Sequence, residues 1–560
     1  MRAGDRPEAI RHAIAGHDYA HAADLVELAM TATNRDRQEA LLRRWLEALP
    51  DELIRTRPVL SNGYAGTILT RGVTDGVEVR LLDAERGLAS AAEARLAGQA
   101  ASSIVVVDDD AFRQLPGTIA IHRAGLARLL GDVAGTMAHA HRALTLFDDD
   151  DDVGHGAASA LLGLAYWTGA DLEKASALYA SAMPRFERAG YLSDVIGLTI
   201  ALADMRIEQG RLDDALRTYE RGLELATGQD GIVLRGAADM HVGISQILRE
   251  RNDLAGAARH LEQAADLGED NGLPQNPYRS RVAAGLLRRA EGDLDASIRL
   301  LKDAERRYAT DFSPPVRPVS AVKARVLISR GNLSEARAWA REQGLSIADD
   351  LTYVREFEHV TLARLLLSDA TRTRTGGALG EVRDFLDRLL VAAESGGRTG
   401  SVIDILVVVA LVQQALGDRS AAIAALNRAV ALAEPEGYVG VFADEGPPMA
   451  ALLKIAAKEP AAPGFVRRLL TAVVTSDPPP SADQPLIEPL SERELDVMRL
   501  LDSELDGPDI ARELTVSLAT VRTHTRNIYA KLGVNSRRAA VRRAAELALL
   551  SRTRDRRPPG

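Results

Sequence analysis

The sequence predicts an all-α chain: a long solenoid of helical hairpins followed by a small C-terminal helix-turn-helix unit. Three observations predict it. A short motif returns about every 40 residues, the composition suits stacked helices, and a proline-rich break precedes a basic C-terminal segment. Alanine, leucine and arginine dominate the 560 residues while aromatics are only 4%; small and unbranched side chains of this kind favour helix over sheet. A chain this long outgrows one hydrophobic core, so several units or an array are expected.

Composition also excludes function classes. There are no cysteines, which removes disulfides, Cys-zinc sites and thiol catalysis together. The longest apolar run, Ile405 to Val412, has eight residues, far short of a membrane span. The N-terminus lacks the apolar core of a secretory signal, so the expected location is cytoplasmic, with no membrane partner. The net charge of −10 hides a sharp local asymmetry. Residues 512–557 carry 12 basic and 3 acidic side chains, whereas 486–511 carry 2 and 8. Local field, not overall charge, is what a phosphate backbone meets.

Residues 1–130 read as helical, with weak repetition. From 131 to 474 the motif is a small residue or Asn, a polar residue, Leu or Val, and then a small residue three positions on. It reads Gly131-Asp132-Val133, Ala170-Asp171-Leu172, Gly210-Arg211-Leu212, Asn252-Asp253-Leu254, Gly292-Asp293-Leu294 and Gly331-Asn332-Leu333. A degraded copy at Gly377-Ala378-Leu379 and Gly417-Asp418 continue it, at spacings of 39, 40, 42, 40, 39, 46 and 40 residues. A fixed period of this size means a solenoid. Each motif predicts a hairpin turn: the first residue ends one helix with positive φ, and Asp or Asn caps the next. The unit from Leu162 to Ala182 resembles a tetratricopeptide repeat, with Leu162, Gly163 and Tyr166 on its first helix and Ala175, Tyr179 and Ala182 on its second. A period near 40 exceeds the usual 34, which implies longer helices or turns.

Residues 475–489, TSDPPPSADQPLIEP, read as an interdomain linker, and 553–560 as a disordered tail. Between them, 490–552 carries the helix-turn-helix signals. Ser491 and Glu494 have capping-box spacing, opening a helix expected to bury Leu495, Met498 and Leu501 or their neighbours. Asp506 and Pro508 open a second, short helix, and Ser517 caps a third. At 100° per residue Val521, Thr525, Ile528 and Leu532 share a core face, while Ala519, Arg522, Thr523, Arg526, Asn527 and Ala530 lie opposite. Small residues beside two arginines suit a DNA groove.

These residues resemble the LuxR-type helix-turn-helix. The family's Leu-Thr-x-Arg-Glu opening appears as Leu490-Ser491-Glu492-Arg493-Glu494, and its Glu-Ile-Ala as Asp509-Ile510-Ala511. Its Ser-x-x-Thr-Val-Lys-x-His appears as Ser517, Thr520, Val521, Arg522 and His524, and its Ile-x-x-Lys-Leu-Gly-Val as Ile528, Lys531, Leu532, Gly533 and Val534. Two departures are Glu504 for the Gly closing the first helix and Asp506-Gly507-Pro508 for Ser-Asn-Lys. The resemblance implies base contacts by Arg522, Thr523 and Arg526. Thr520, His524 and Lys531 would serve the DNA backbone or the local scaffold. It also implies a homodimer on DNA through a fourth helix, 536–550, carrying Ala540, Val541, Ala544 and Leu547, and RNA polymerase as a partner.

Upstream, GLPQNPYR (272–279), REFEHVTLARLLL (355–367) and EPEGYVGVFADEGPPMAALL (434–453) resemble the sensor region of the large ATP-binding, maltose-regulator-like LuxR group. Those regulators carry a P-loop ATPase before the repeats. Here the dipeptide Gly-Lys never occurs, so the reading is that the ATPase is missing and the chain begins within the array.

No HExxH or Gly-x-Ser-x-Gly occurs, and no catalytic, cofactor or metal site is expected. The acidic runs 108–110 and 148–152 are read as solvated loops or N-terminal helix caps, and Tyr166, Trp167 and Tyr219 as repeat core. The expectation is a DNA-binding transcriptional regulator gated by a small molecule or protein on the repeats. The alternative is a helical-repeat scaffold with weak or lost DNA binding.

Overall fold

The computed structural model describes residues 6–97, 104–228, 233–268, 271–309, 313–373, 377–458, 464–475, 490–503, 505, 507–532, 537, 540, 541 and 544. Residues 476–489 of the expected linker and the whole expected tail lie outside them, as does most of the expected fourth helix. The chain divides into two units, one of Met1–Ala290 and Leu294–Val473, the other of Val474–Gly560 with Glu291–Asp293. Among the described residues every element is helical.

The large unit opens with α1 (Arg6–Ala15), α2 (Tyr19–Arg35), α3 (Glu39–Glu47), α4 (Asp51–Arg55), α5 (Pro58–Leu69) and α6 (Val77–Leu96). Eight hairpins follow. They are α7/α8 (Asp109–Leu129, Val133–Leu144), α9/α10 (Asp152–Thr168, Leu172–Arg188), α11/α12 (Leu192–Glu208, Leu212–Thr227) and α13/α14 (Ala237–Glu250, Leu254–Leu267). Next come α15/α16 (Asn276–Ala290, Leu294–Arg306), α17/α18 (Val319–Arg330, Leu333–Glu342), α19/α20 (Glu356–Thr373, Gly377–Ser395) and α21/α22 (Thr399–Leu416, Arg419–Ala433). Three helices close the unit: α23 (Gly440–Ala443), α24 (Pro447–Ala456) and α25 (Gly464–Thr475).

The turns form as the motif predicts. Gly131 has φ +76°, Ala170 +70° and Asn252 +64°. The following Asp132, Asp171 and Asp253 accept the backbone N–H of Gly135, Lys174 and Gly256 at 2.8, 3.1 and 2.9 Å. Asn332 and Asp418 cap α18 and α22 in the same way, and so do Asp108 and Asp151 from the acidic runs at α7 and α9. One expectation fails: Gly377 is the first residue of α20, not a turn. Conversely, His17 (φ +59°) and Asp18 make the same turn before α2. That copy escapes the sequence pattern because histidine, not Gly or Asn, takes the left-handed position.

Within a hairpin and between successive hairpins, a small residue on one helix faces an aromatic on the next. A Cβ on Gly163 would lie 2.7 Å from the Tyr179 ring, and one on Gly243 only 2.2 Å from Tyr219. Leu162, Ala175, Tyr179 and Ala182 are buried as expected, and Trp167 and Tyr219 are 1% exposed. The long period comes from the helices themselves, since α9, α10 and α11 each run 17 residues.

The array then turns back on itself. Helix α21 is long and apolar enough to cross a membrane. Its residues 405–412 are nevertheless all buried, each large one contributing about 1.5–3 kcal/mol. One of its faces meets α11, where a Cβ on Gly400 would sit 2.6 Å from the Ile207 carbonyl oxygen. The strap that follows α22 completes the closure. Tyr438 donates its hydroxyl to Ile207 O at 2.9 Å, and Val439 N–H donates to Glu250 O at 2.9 Å.

The turns generate a paired prediction. No heavy atom lies within 4 Å of a Cβ built on Gly131, so Gly131→Ala tests backbone strain alone and costs about 1 kcal/mol. Ala170→Gly relieves the same strain and stabilises by about 0.5–1 kcal/mol, less whatever unfolded-chain entropy takes back. Calorimetric melting of the two variants should therefore shift in opposite directions.

Candidate nucleic-acid interface and solenoid cavity

The C-terminal unit is built on α26 (Glu492–Leu501), α27 (Gly507–Glu513) and α28 (Leu518–Leu532). Both halves of the capping box form: Ser491 Oγ accepts Glu494 N–H, and the Glu494 carboxylate accepts Ser491 N–H at 2.8 Å. Val497, Met498, Leu501, Ile510, Val521, Ile528 and Leu532 make the core. Leu495 is partly buried against this core, and the nearby Val497 is fully buried in it. Thr515 turns the chain with φ +55°, and Ser517 Oγ accepts Thr520 N–H at 3.1 Å at the start of α28.

The six expected contact residues separate into two groups. Arg522, Thr523 and Arg526 are exposed along one side of α28. Arg522 and Arg526 sit one turn apart and have no hydrogen bond or ion pair among the described residues, whereas Arg493, Arg499 and Arg512 lie within ion-pair distance of Asp496 or Asp509. Thr520, His524 and Lys531 are half-buried. Thr520 belongs to the Ser517 cap, and Lys531 Nζ donates to Glu494 Oε2 at 2.9 Å. Of the proposed dimer residues, Ala540 and Ala544 are fully buried in this unit's own core, and Leu547 lies outside the described residues. Those two alanines cannot face a partner. Sequence reading missed Arg537, which donates to the carbonyls of Leu501 and Leu505 at 2.8 and 2.6 Å and so finishes the end of α26.

The large unit has a partly open cavity of about 520 Å³ where α21 and the strap meet α11 to α17. The three sensor-like segments, scattered through the sequence, all reach it: Tyr278 and Arg279 from the first, Arg364 from the second, Tyr438, Asp444 and Glu445 from the third. One wall is a buried ion-pair set. Asp404 accepts from Arg325 at 2.9 Å and from Arg364 at 2.6 Å, while Arg364 Nε also donates to Glu445 at 2.7 Å. Asp444 pairs with Arg249 and, at 3.2 Å, with Arg289. Burial would raise the Asp404 carboxyl, but the two guanidiniums outweigh it and hold it far below the usual range. Burial, with Arg364 adjacent, pulls Arg325 down to about 9 against the pull of Asp404. Arg325 also stacks 3.6 Å from the Phe357 ring centroid. Apolar side chains also line the cavity, among them Ile247, Val282, Leu286, Val319 and Val322. The rings of Tyr278 and Tyr308 pack 5.0 Å apart beside it.

Residues 117–459 match the family described as the MalT-like TPR region. The chain belongs to the MalT-like family. Residues 488–544 of this MalT-like chain match the LuxR family of bacterial regulatory proteins. It is 24% identical over 606 residues to the HTH-type transcriptional regulator MalT of Yersinia enterocolitica, covering 98% of this chain and 60% of that protein. With the regulator of the same name from Serratia proteamaculans it shares 25% identity over 389 residues, 62% of this chain and 40% of the relative. The chain thus spans about 40–60% of the length of these relatives. A crystal structure of a Rap protein complexed with competence and sporulation factor aligns with TM-score 0.46 and 13% identity, covering 68% of this chain and 98% of that one.

In the MalT-like array the cavity residues carry weak sequence signals singly. Each arginine occupies an ordinary helical position, and only the closure brings them together.

The Lys531–Glu494 bond is testable by pH. Glu494 is buried, which would raise its carboxyl, but the Ser491 N–H and Lys531 outweigh that and lower it. The stability it supplies is therefore full above 4.5, the ordinary value, and is lost only as pH falls through the lowered one. Lys531→Met should cost the C-terminal unit about 1–3 kcal/mol near neutrality, since a charged hydrogen bond to a buried carboxylate is removed. Calorimetry should show that penalty persisting at pH 4.5 and fading below it.

Proposed function

We propose that this protein is a DNA-binding transcriptional regulator that reads an operator with α28 and is gated by a ligand or protein on its repeat unit. The observation that carries the reading is that Arg522 and Arg526 are exposed and, among the described residues, have no partner, while the unit's other described arginines lie beside carboxylates or carbonyls. Two guanidiniums one helical turn apart, with Thr523 between them, can reach guanine edges or phosphates. The LuxR-family match and the regulators to which the chain is similar support the same function.

In this reading Arg522, Thr523 and Arg526 contact bases. Thr520, His524 and Lys531 set the pose of the helix, Lys531 through Glu494. The protein works in the cytoplasm, binds as a homodimer and meets RNA polymerase at its promoters. Its dimer contacts come from side chains other than Ala540 and Ala544, and residues 475–489 join the repeats to the reader.

The test is selection of bound duplexes from genomic fragments by the full chain, followed by affinity measurement on the selected site. Arg522→Ala and Arg526→Ala should each weaken specific binding by about 1–3 kcal/mol and relax one base position. Binding by the unaltered protein should fall steeply as salt rises, because phosphate contacts release counterions. Failure to enrich any fragment at low salt would overturn the reading.

A further inference from the structure

The charged groups around the cavity satisfy one another. Beyond the Asp404 and Asp444 sets, Asp204 binds Arg279 at 2.5 Å, Glu208 binds Arg317 at 2.7 Å and Glu250 binds Arg249 at 3.1 Å. Glu305 is held by Lys323 at 2.6 Å. Every carboxylate and arginine that lines the cavity thereby has a partner of opposite sign. An ion entering it would leave water without gaining a free counterion, and a charge buried in that way is strongly disfavoured. Two features remain to meet a ligand. One is apolar: Val282, Leu286 and Val319 are joined by Pro314, Pro315 and Pro318, whose rings are apolar and which have no N–H to donate. The other is Gln246 on α13, which lines the cavity, is half-buried and makes no hydrogen bond among the described residues. Its amide offers both donors and an acceptor without a charge.

We propose that the cavity binds an uncharged, largely apolar molecule with one hydrogen-bonding group, which pairs with the Gln246 amide while its chain or ring lies against Val282, Leu286 and Val319. The assignment rests on the reading that the repeat unit receives a ligand, and it specifies that ligand's class. Acids, phosphates and amines are disfavoured alike, because no counterion on the lining is free to receive them. A sugar is neutral, but its many hydroxyls need more partners than one amide supplies among prolines and aliphatic side chains. The cavity's volume falls in the range of small-molecule sites, and an apolar lining with few convergent polar groups is what such sites share. The Tyr278–Tyr308 pair, with Tyr308 half exposed, gives the ligand's apolar end an aromatic surface.

The experiment is isothermal titration of the full chain, near neutral pH, with octanamide, octanoate, octylamine, propylbenzene and maltose. One octanamide per chain should bind at least tenfold tighter than octanoate or octylamine, which carry the same chain with a charge, and tighter than maltose. Gln246→Leu should weaken octanamide about fivefold, the effect of one neutral hydrogen bond. The same variant should leave propylbenzene, which has nothing for the amide to meet, unchanged. Val282→Phe, which fills the apolar part, should abolish binding of both. The comparison of octanamide with the two ions uses the unaltered chain, so it decides the matter even where a variant fails to fold. Octanoate, octylamine or maltose binding as tightly as octanamide would overturn the proposal. So would octanamide binding that survives Val282→Phe or is untouched by Gln246→Leu, or no binding of any probe. Operator affinity measured with and without octanamide separates the two readings. Octanamide that binds the cavity but leaves operator affinity unchanged supports the ligand class and rejects the gating.

Discussion

Asp404 and Asp444 each bind two arginines, and the closure of the repeat unit depends on that sharing. Asp404 on α21 holds Arg325 of α17 and Arg364 of α19. Asp444, after α23, holds Arg249 of α13 and Arg289 of α15. Four repeats are thereby tied to two carboxylates that arrive from the C-terminal end of the unit. Taking so many charges out of water is expensive, and an apolar substitute of equal shape often serves stability as well. What ion pairs add is direction: a guanidinium fork accepts one approach, so the returning helix and strap can dock in one register only.

That register has a consequence for the cavity. Apolar contacts alone between α21 and α11 would let the returning helix slide until it filled the space. Gly400 pressed against the Ile207 carbonyl and Tyr438 bonded to the same atom fix how far it can go. The cavity survives because the groups around it are held by directional bonds, not by packing density.

The hairpins were legible in the sequence because their cause is local. A left-handed residue followed by an Asp or Asn cap needs only a few positions, and the pattern recovers Gly131, Ala170, Asn252, Gly331 and Gly417. It errs where the local rule is loosened, at Gly377, or met by an unusual residue, at His17. The helix-turn-helix was legible for the same reason, its capping box and core face being short-range patterns. The cavity was not, since Arg249, Arg364 and Asp444 lie far apart in sequence and look like ordinary repeat residues. Nor could the sequence show that Lys531 is engaged by Glu494, or that Ala540 and Ala544 point inward, because both depend on how one helix lies on another.

The closure contacts also set an order of assembly. A hairpin joins residues within one repeat, and loops so short close at little entropic cost, in microseconds or less. The Tyr438–Ile207 hydrogen bond joins residues 231 apart, and it becomes favourable only when the intervening helices have already stacked. Contacts of such high sequence separation form late and slow a folding reaction. The array is then a template on which the strap docks last, and the ligand-sized space is the final piece of this unit to exist. By the same logic it is the first piece that local opening can remove while every hairpin stays intact.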